Sequence, residues 1–328
     1  MFVLQGYFEI GNYRFNAINN IEITRSIEEL TSTAVIKMPS KFYIKEDGQL
    51  KYTEQVIKKY QPVKIVLGYK GKPEVVEFNG FVDKVKYSIP MEIHCEDAMQ
   101  LLKRKDFIFN EPKPNLRDIL LQIVKDTPIK LAAKMSDMKL DKWVFKEGNA
   151  AQALAKLKQD LPMYHFYINQ NGELYAGLKH LNKVLESVTY DLNYSLVENN
   201  LEFKDGSERK VRVIYKSTTK DNKPIKVEFG EQGGEKVEVN NATITNKEKL
   251  AELAQIHLKN LKADGFEGDL TSFLLPYAEP GMAAQLIDTK HPNREGRYLI
   301  KKVVTTYGTK GARRKVSLGN RLTIADKK

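Results

Sequence analysis

Apolar and polar positions alternate along the first hundred residues, and a period of two is the signature of strands with one buried face. Within 2–37, Ile21, Ile23 and Arg25 share one face of an extended chain, and Thr33, Val35 and Lys37 share another. The same pattern predicts strands at 62–69 (P-V-K-I-V-L-G-Y), 74–87 (E-V-V-E-F-N-G-F-V-D-K-V-K-Y) and 91–95 (M-E-I-H-C). Lys70-Gly71-Lys72-Pro73 reads as the hairpin turn between the first two, and Asp47-Gly48 as a turn within 41–60. A short helix within 96–105 then closes the unit. Met99, Leu101 and Leu102 are its expected buried residues, and Asp97 is expected to cap it through backbone N–H groups. A first β domain over 1–104 follows.

The period changes after Pro112 and Pro114. Leu116, Ile119, Leu120, Ile123 and Val124 lie at helical spacing, with Asn115 as the expected cap and Asp118 in the first turn. A second helix is predicted from Ala150 to Asp160. Its cap is Asn149, and its apolar stripe is Ala150, Ala153, Leu154 and Leu157. Two short strands, 163–168 and 173–177, flank Asn171-Gly172, a pair that accepts the positive dihedrals of a tight hairpin. Residues 105–190 therefore read as an α+β insert. Strands return at 211–216 and 225–230 around Lys220-Asp221-Asn222-Lys223, and Gly233-Gly234 supplies a further turn. Thr245 and Glu248 have capping-box spacing ahead of a helix over 246–261, which carries Leu250, Leu253, Ala254, His257, Leu258 and Leu261 on one side. The chain ends in a β-rich run: G-F-E-G-D-L-T at 265–271, P-G-M-A-A-Q-L-I-D at 280–288, G-R-Y-L-I-K-K-V-V-T-T-Y at 296–307 and R-K-V-S-L-G-N-R-L at 314–322. The expected class is mainly β with an α+β insert, and 191–328 forms a second β domain containing the helix 246–261.

Bulk properties narrow the function classes. One cysteine, Cys95, excludes a disulfide framework. No run approaches the apolar length of a membrane span, and M-F-V-L-Q-G-Y-F-E-I does not read as a signal peptide, so no membrane binding is expected. The net charge of +11 is local: residues 281–328 hold twelve Lys/Arg against three Asp/Glu. Lys301, Lys302, Lys310, Arg313, Arg314 and Lys315 cluster there, as a candidate partner-contact surface. Such side chains suit phosphates as well as acidic protein. No helix-turn-helix, finger or aromatic strand pattern accompanies them, and alternation within 312–318 splits the charges between two faces.

No catalytic, cofactor or metal site is expected. The histidines His94, His165, His180, His257 and His291 show neither i,i+4 pairing nor an H-E-x-x-H pattern. Cys95, at a strand end beside Glu96, reads as an apolar filler. Glu96 and Asp97 are adjacent in an extended chain and so point to opposite faces, which is poor geometry for shared acid–base work. Neither G-x-x-x-x-G-K-[ST] nor G-x-G-x-x-G occurs as a phosphate cradle.

Three parts of the sequence carry a resemblance. They are F-N-G-F-V-D-K-V at 78–85 with M-E-I-H-C-E-D-A-M-Q-L-L at 91–102, the helix-plus-hairpin unit from Asn149 through Tyr175, and the helix 246–261 with the C-terminal run. In order and spacing the chain resembles the baseplate hub proteins of contractile phage tails and related injection machines. These are the late control protein D family, which includes the hub part of type VI spike proteins. The resemblance implies two related β-barrel-like domains per chain, six of them forming a pseudo-sixfold ring in a homotrimer. It implies a structural adaptor and not an enzyme, joining a hexameric tail tube protein to a trimeric spike, with the insert outside the ring. The chain stops soon after V-S-L-G-N-R-L, which implies a separate spike protein. Tape measure protein, and DNA in a phage, would at most pass through the lumen, beside other baseplate proteins. The implied location is a virion tail baseplate or a related injection particle made in the bacterial cytoplasm. A β-rich module binding carbohydrate or nucleic acid is the alternative reading.

Overall fold

Period-two alternation in the first hundred residues becomes the strands Leu4–Ile10, Tyr13–Phe15, Asn20–Ser26, Thr33–Met38, Pro62–Tyr69, Val75–Lys86 and Met91–Glu96. The structure is a computed structural model that describes residues 3–39, 43–46, 49–178, 186–194, 196–219, 221–241 and 243–322. Asp47-Gly48, His180 and Lys220 lie outside the described residues. Ile21, Ile23 and Arg25 do share the buried face of Asn20–Ser26, whereas Thr33, Val35 and Lys37 lie on the opposite, more open face of the sheet. Gly71, at φ +77, closes the 70–73 turn, a conformation that suits a residue without Cβ.

The two ends of the chain meet in one sheet. Strand Gly296–Gly308 pairs antiparallel with Asn20–Ser26, so that Thr305 faces Ile23 and Tyr307 faces Ile21. The sheet's order runs from Glu198–Asn199 through Asp269–Ser272, Gly311–Arg321, Gly296–Gly308, Asn20–Ser26, Thr33–Met38, Met91–Glu96, Val75–Lys86, Pro62–Tyr69 and Leu4–Ile10 to Tyr13–Phe15. Ala283–Ile287 also pairs with Gly296–Gly308, and Ser187–Asp191 lies parallel to it. One apolar core lies under the N-terminal strands, with Phe8, Ile21, Ile36, Phe78 and Ile93; it also takes in Tyr307 and Ala312 from the C-terminal hairpin. A second core, with Tyr190, Leu270, Tyr298 and Leu318, lies under the C-terminal strands.

A third core gathers the middle of the chain. Helices Leu116–Val124 and Ala150–Asp160 and the hairpin Tyr164–Ile168 and Glu173–Leu178 bury their stripes there. The same core includes Val211, Val213 and Tyr215 from a separate three-stranded sheet, and Leu250, Leu253 and Ala254 from helix Lys247–Leu261. Segments on both sides of residues 186–204 thus share one interior.

Two helix starts differ from the sequence expectation. Asn149 caps as expected: its Oδ1 accepts from Gln152 N at 2.9 Å while Gln152 Oε1 accepts from Asn149 N. Asn115 does not cap with its side chain. It donates its amide to Asp118 at 3.1 Å, and Asp137 instead accepts from Arg117 N at 3.1 Å. The helix expected from a Thr245–Glu248 box is capped one residue later, by Asn246, whose Oδ1 accepts from Glu248 N and Lys249 N. Thr245 is drawn away because its N–H and hydroxyl both donate to Asp141 Oδ2. Asp97 behaves as expected, with Oδ1 accepting from Met99 N at 2.9 Å.

Candidate partner-contact surface

The six basic residues singled out by sequence fall on one hairpin, Gly296–Gly308 with Gly311–Arg321. In a strand, successive side chains point to opposite faces, so the hairpin deals its charges into two sets. Arg313 and Lys315 lie on the open face, where register places them opposite Thr306 and Val304. Lys302, two residues before Val304, is exposed on the same face. Lys310 is exposed at the hairpin tip, and Lys301, at an irregularity in the pairing, approaches Glu28 at 3.9 Å. Lys315 pairs with Asp269 at 3.1 Å, and the Arg313 guanidinium lies 5.0 Å from the centre of the Phe273 ring.

Arg314 is the exception and corrects the expectation. It lies on the core face with Ala312, Val316 and Leu318 and is 1% exposed, so it forms no part of a contact surface. Its Nη2 donates to Glu77 Oε1 at 2.6 Å and its Nη1 to Glu77 Oε2 at 3.1 Å, a two-pronged contact in which both partners are buried. Further bonds run to the carbonyls of Leu274 and Ala278 and to Thr305 Oγ1. Guanidinium has five fixed donors, and a buried one is tolerated only when they are met. Arg25 makes a second such link, donating to Glu279 Oε2 at 2.5 Å and to Tyr277 Oη at 3.2 Å. Both pairs join the N-terminal β segment to the C-terminal one. The sequence reading missed Glu77 and Glu279. The visible trace was a carboxylate inside the apolar V-V-E-F run and an arginine in phase with Ile21 and Ile23.

The other candidates among the described residues sit in structural contacts. Cys95 is buried, which pushes its thiol up, away from the reactive thiolate. Glu96 pairs with Lys103 at 2.7 Å while Asp97 faces inward. His165 Nδ1 lies 3.1 Å from the Ile27 carbonyl oxygen, and His257 Nδ1 lies 3.1 Å from Tyr215 Oη. Among the described residues, no group of three or more His, Cys, Asp and Glu is placed to hold a metal ion, and no helix is long and apolar enough to cross a membrane. An open cavity of about 820 Å³ between the insert and the separate sheet is lined by Trp143, Lys142, Lys156 and Thr219. Trp143 offers it no stacking face: the ring is 1% exposed and its Nε1 donates to Asp160 at 3.1 Å. On the outer face of the separate sheet the charges are paired two cations to each carboxylate: Lys216 and Lys236 flank Glu238 and hold its carboxyl down to about 2, while Arg212 and Lys226 flank Glu228.

No protein-family model matches the chain, and no curated protein sequence does. Solved structures do match. The tail protein from Neisseria meningitidis MC58 superposes with a TM-score of 0.70 at 12% identity, covering 97% of both chains. This chain shares that tail-protein fold from end to end. The 43 kDa tail protein of prophage MuSo2 from Shewanella oneidensis matches with a TM-score of 0.67 at 16% identity, over 97% of this chain and 98% of that one. The E. coli c3393 protein, a component of the type VI secretion system described as similar to the T4 bacteriophage tail proteins gp27 and gp5, matches at 0.59 and 11% identity, over 97% of this chain and 79% of its own. The mainly β fold with an α+β insert is thus that of these proteins.

Proposed function

We propose that this chain is a structural hub protein of a contractile tail or injection particle, adapting a hexameric tube to a trimeric spike. The observation that carries the reading is the fold likeness to tail proteins over nearly the whole chain, insert included. The joined sheet supports it. Strand pairing between Gly296–Gly308 and Asn20–Ser26, with two buried arginine links, makes the N- and C-terminal β segments one stiff plate. A plate of that kind suits a part that transmits load between stacked rings.

In this reading the ring is formed by the β segments within 1–104 and 191–328, three chains supplying six units. The insert 105–190 lies outboard, together with the 211–240 sheet and helix Lys247–Leu261 that share its core. Pairing between chains would satisfy the sheet edges, which otherwise invite aggregation. The tube and spike proteins are the proposed partners, with tape measure protein or DNA passing through the lumen. Lys302, Lys310, Arg313 and Lys315 form the proposed contact for an acidic partner surface, with Lys301 at its margin.

The test is native mass measurement of the chain mixed with candidate tube and spike proteins from the same genome. A complex holding three copies of this chain supports the reading, and a chain that stays monomeric beside both overturns it. The triple variant K302E/R313E/K315E keeps the core-facing Arg314. It should weaken that assembly at least tenfold, and unchanged assembly removes the basic face from the interface.

A further inference from the structure

Strand Val75–Lys86 is covered unevenly on its two sides. Toward Met91–Glu96 it is paired from Phe81 to Lys86. Toward Pro62–Tyr69 the pairing ends at Phe81 opposite Pro62. Tyr60 and Gln61 extend it by one residue, with Tyr60 N donating to Val82 O at 2.7 Å and Val82 N donating to Gln61 O at 2.9 Å. Beyond Val82, that side of residues 83–87 faces no further strand among the described residues. It faces instead an open groove of about 570 Å³. Gln55, Ile57, Lys58 and Lys59 form one wall, and Asp83, Lys84, Val85 and Tyr87 the other.

The groove has a definite chemistry. Among the described residues that line it, Lys58, Lys59 and Lys84 stand against one carboxylate, Asp83, which pairs with Lys59 at 3.8 Å. Lys58 and Lys84 have no carboxylate partner among the described residues, whereas the neighbouring Lys86 is neutralised by Glu92 at 3.2 Å. Tyr60, next in the chain to Lys59 of the groove wall, has a left-handed conformation, φ +73, which is costly for a bulky side chain and is kept only where the surroundings enforce it. Its ring is 42% exposed and lies beneath Arg104 and Lys59 at 4.1 and 4.9 Å. Tyr87, on the groove wall, is 61% exposed, and Ile89, two residues further along the chain, is 90% exposed. A free strand side, unpaired cations along it and exposed apolar residues at its end occur together here.

We propose that this groove receives an extended acidic segment of a partner protein, added as a strand along residues 83–87. Its carboxylates meet Lys58, Lys59 and Lys84, and an apolar residue packs on Tyr87 and Ile89. Five residues of strand span ~14 Å, enough for two or three backbone pairs, and this mode draws affinity from main-chain bonds and specificity from alternate side chains. The excess of positive charge selects an acidic segment over a neutral one. The inference does not rest on the hub reading.

The probe is a fluorescein-labelled nonapeptide alternating glutamate with valine and ending in phenylalanine, titrated against the full chain and read by anisotropy and amide hydrogen exchange. Saturable binding is expected, weakening as salt rises, with slowed exchange at residues 83–87. K58E/K84E should lose at least tenfold in affinity, while K223E, on the separate sheet's turn, should lose none; circular dichroism checks that each is folded. Four results overturn the proposal: no saturable binding, equal binding of the glutamine-for-glutamate peptide, tighter binding of a single-stranded oligothymidylate, or binding that leaves the 83–87 amides unprotected.

Discussion

Arg314 shows how a charge can be assigned to the wrong face. Its alternation with Ala312, Val316 and Leu318 was plain, yet arginine is rarely buried without a partner, and its partner Glu77 is 237 residues away in the chain. Nothing local announces such a pair. The expected consequence is sharp. R314A leaves the Glu77 carboxylate buried and unpaired and should cost about 3–5 kcal/mol in urea unfolding, whereas the paired replacement R314M/E77L should recover most of that loss. Equal instability of both variants would mean that packing and not charge governs the site. Asp97 offers a second test. Burial pushes its carboxyl up to about 6 from an ordinary 3.8, even though Ser32 N and Met99 N donate to it. A folded pKa above the unfolded one contributes stability that is full below about 4 and is lost as pH rises through 6. The melting temperature of the wild type relative to D97N should therefore fall between pH 4 and pH 7, and a flat difference would contradict the burial argument.

At the scale of elements, the sequence was most legible where one local rule acts alone. Strand periods, the Asn149 cap and the Asn171-Gly172 hairpin needed only neighbours a few residues away. The caps at 115 and 245 failed because distant carboxylates, Asp137 and Asp141, compete for the same backbone or hydroxyl groups. Stability measurements should reproduce this split. N149A and N246A should each cost about 1 kcal/mol, as side-chain caps do. N115A removes only an exposed side-chain pair and should cost about 0.3 kcal/mol. A cost for N115A equal to the other two would restore it as a cap. The other end of that first helix was not foreseen either. Lys105 carries its amino group to the carbonyls of Gln122, Ile123 and Lys125, taking up acceptors that a helix C-terminus leaves open.

For the whole molecule, order along the chain was readable and connection in space was not. The succession of β segment, α+β insert, β segment and helix is present in the structure. What periodicity does not encode is that Gly296–Gly308 seats beside Asn20–Ser26, or that residues 211–261 share their interior with 105–178. Both are long-range packing choices, fixed by which apolar faces fit together. The hub reading lives at this scale as well, since no single residue carries it. Its most direct test is an electron cryomicroscopy map of the assembled particle with this chain located in it. The account predicts three copies around the axis, six β units in one ring, a sixfold tube on one side and a threefold spike on the other. One copy, six copies, or a position on the sheath or fibres would contradict it.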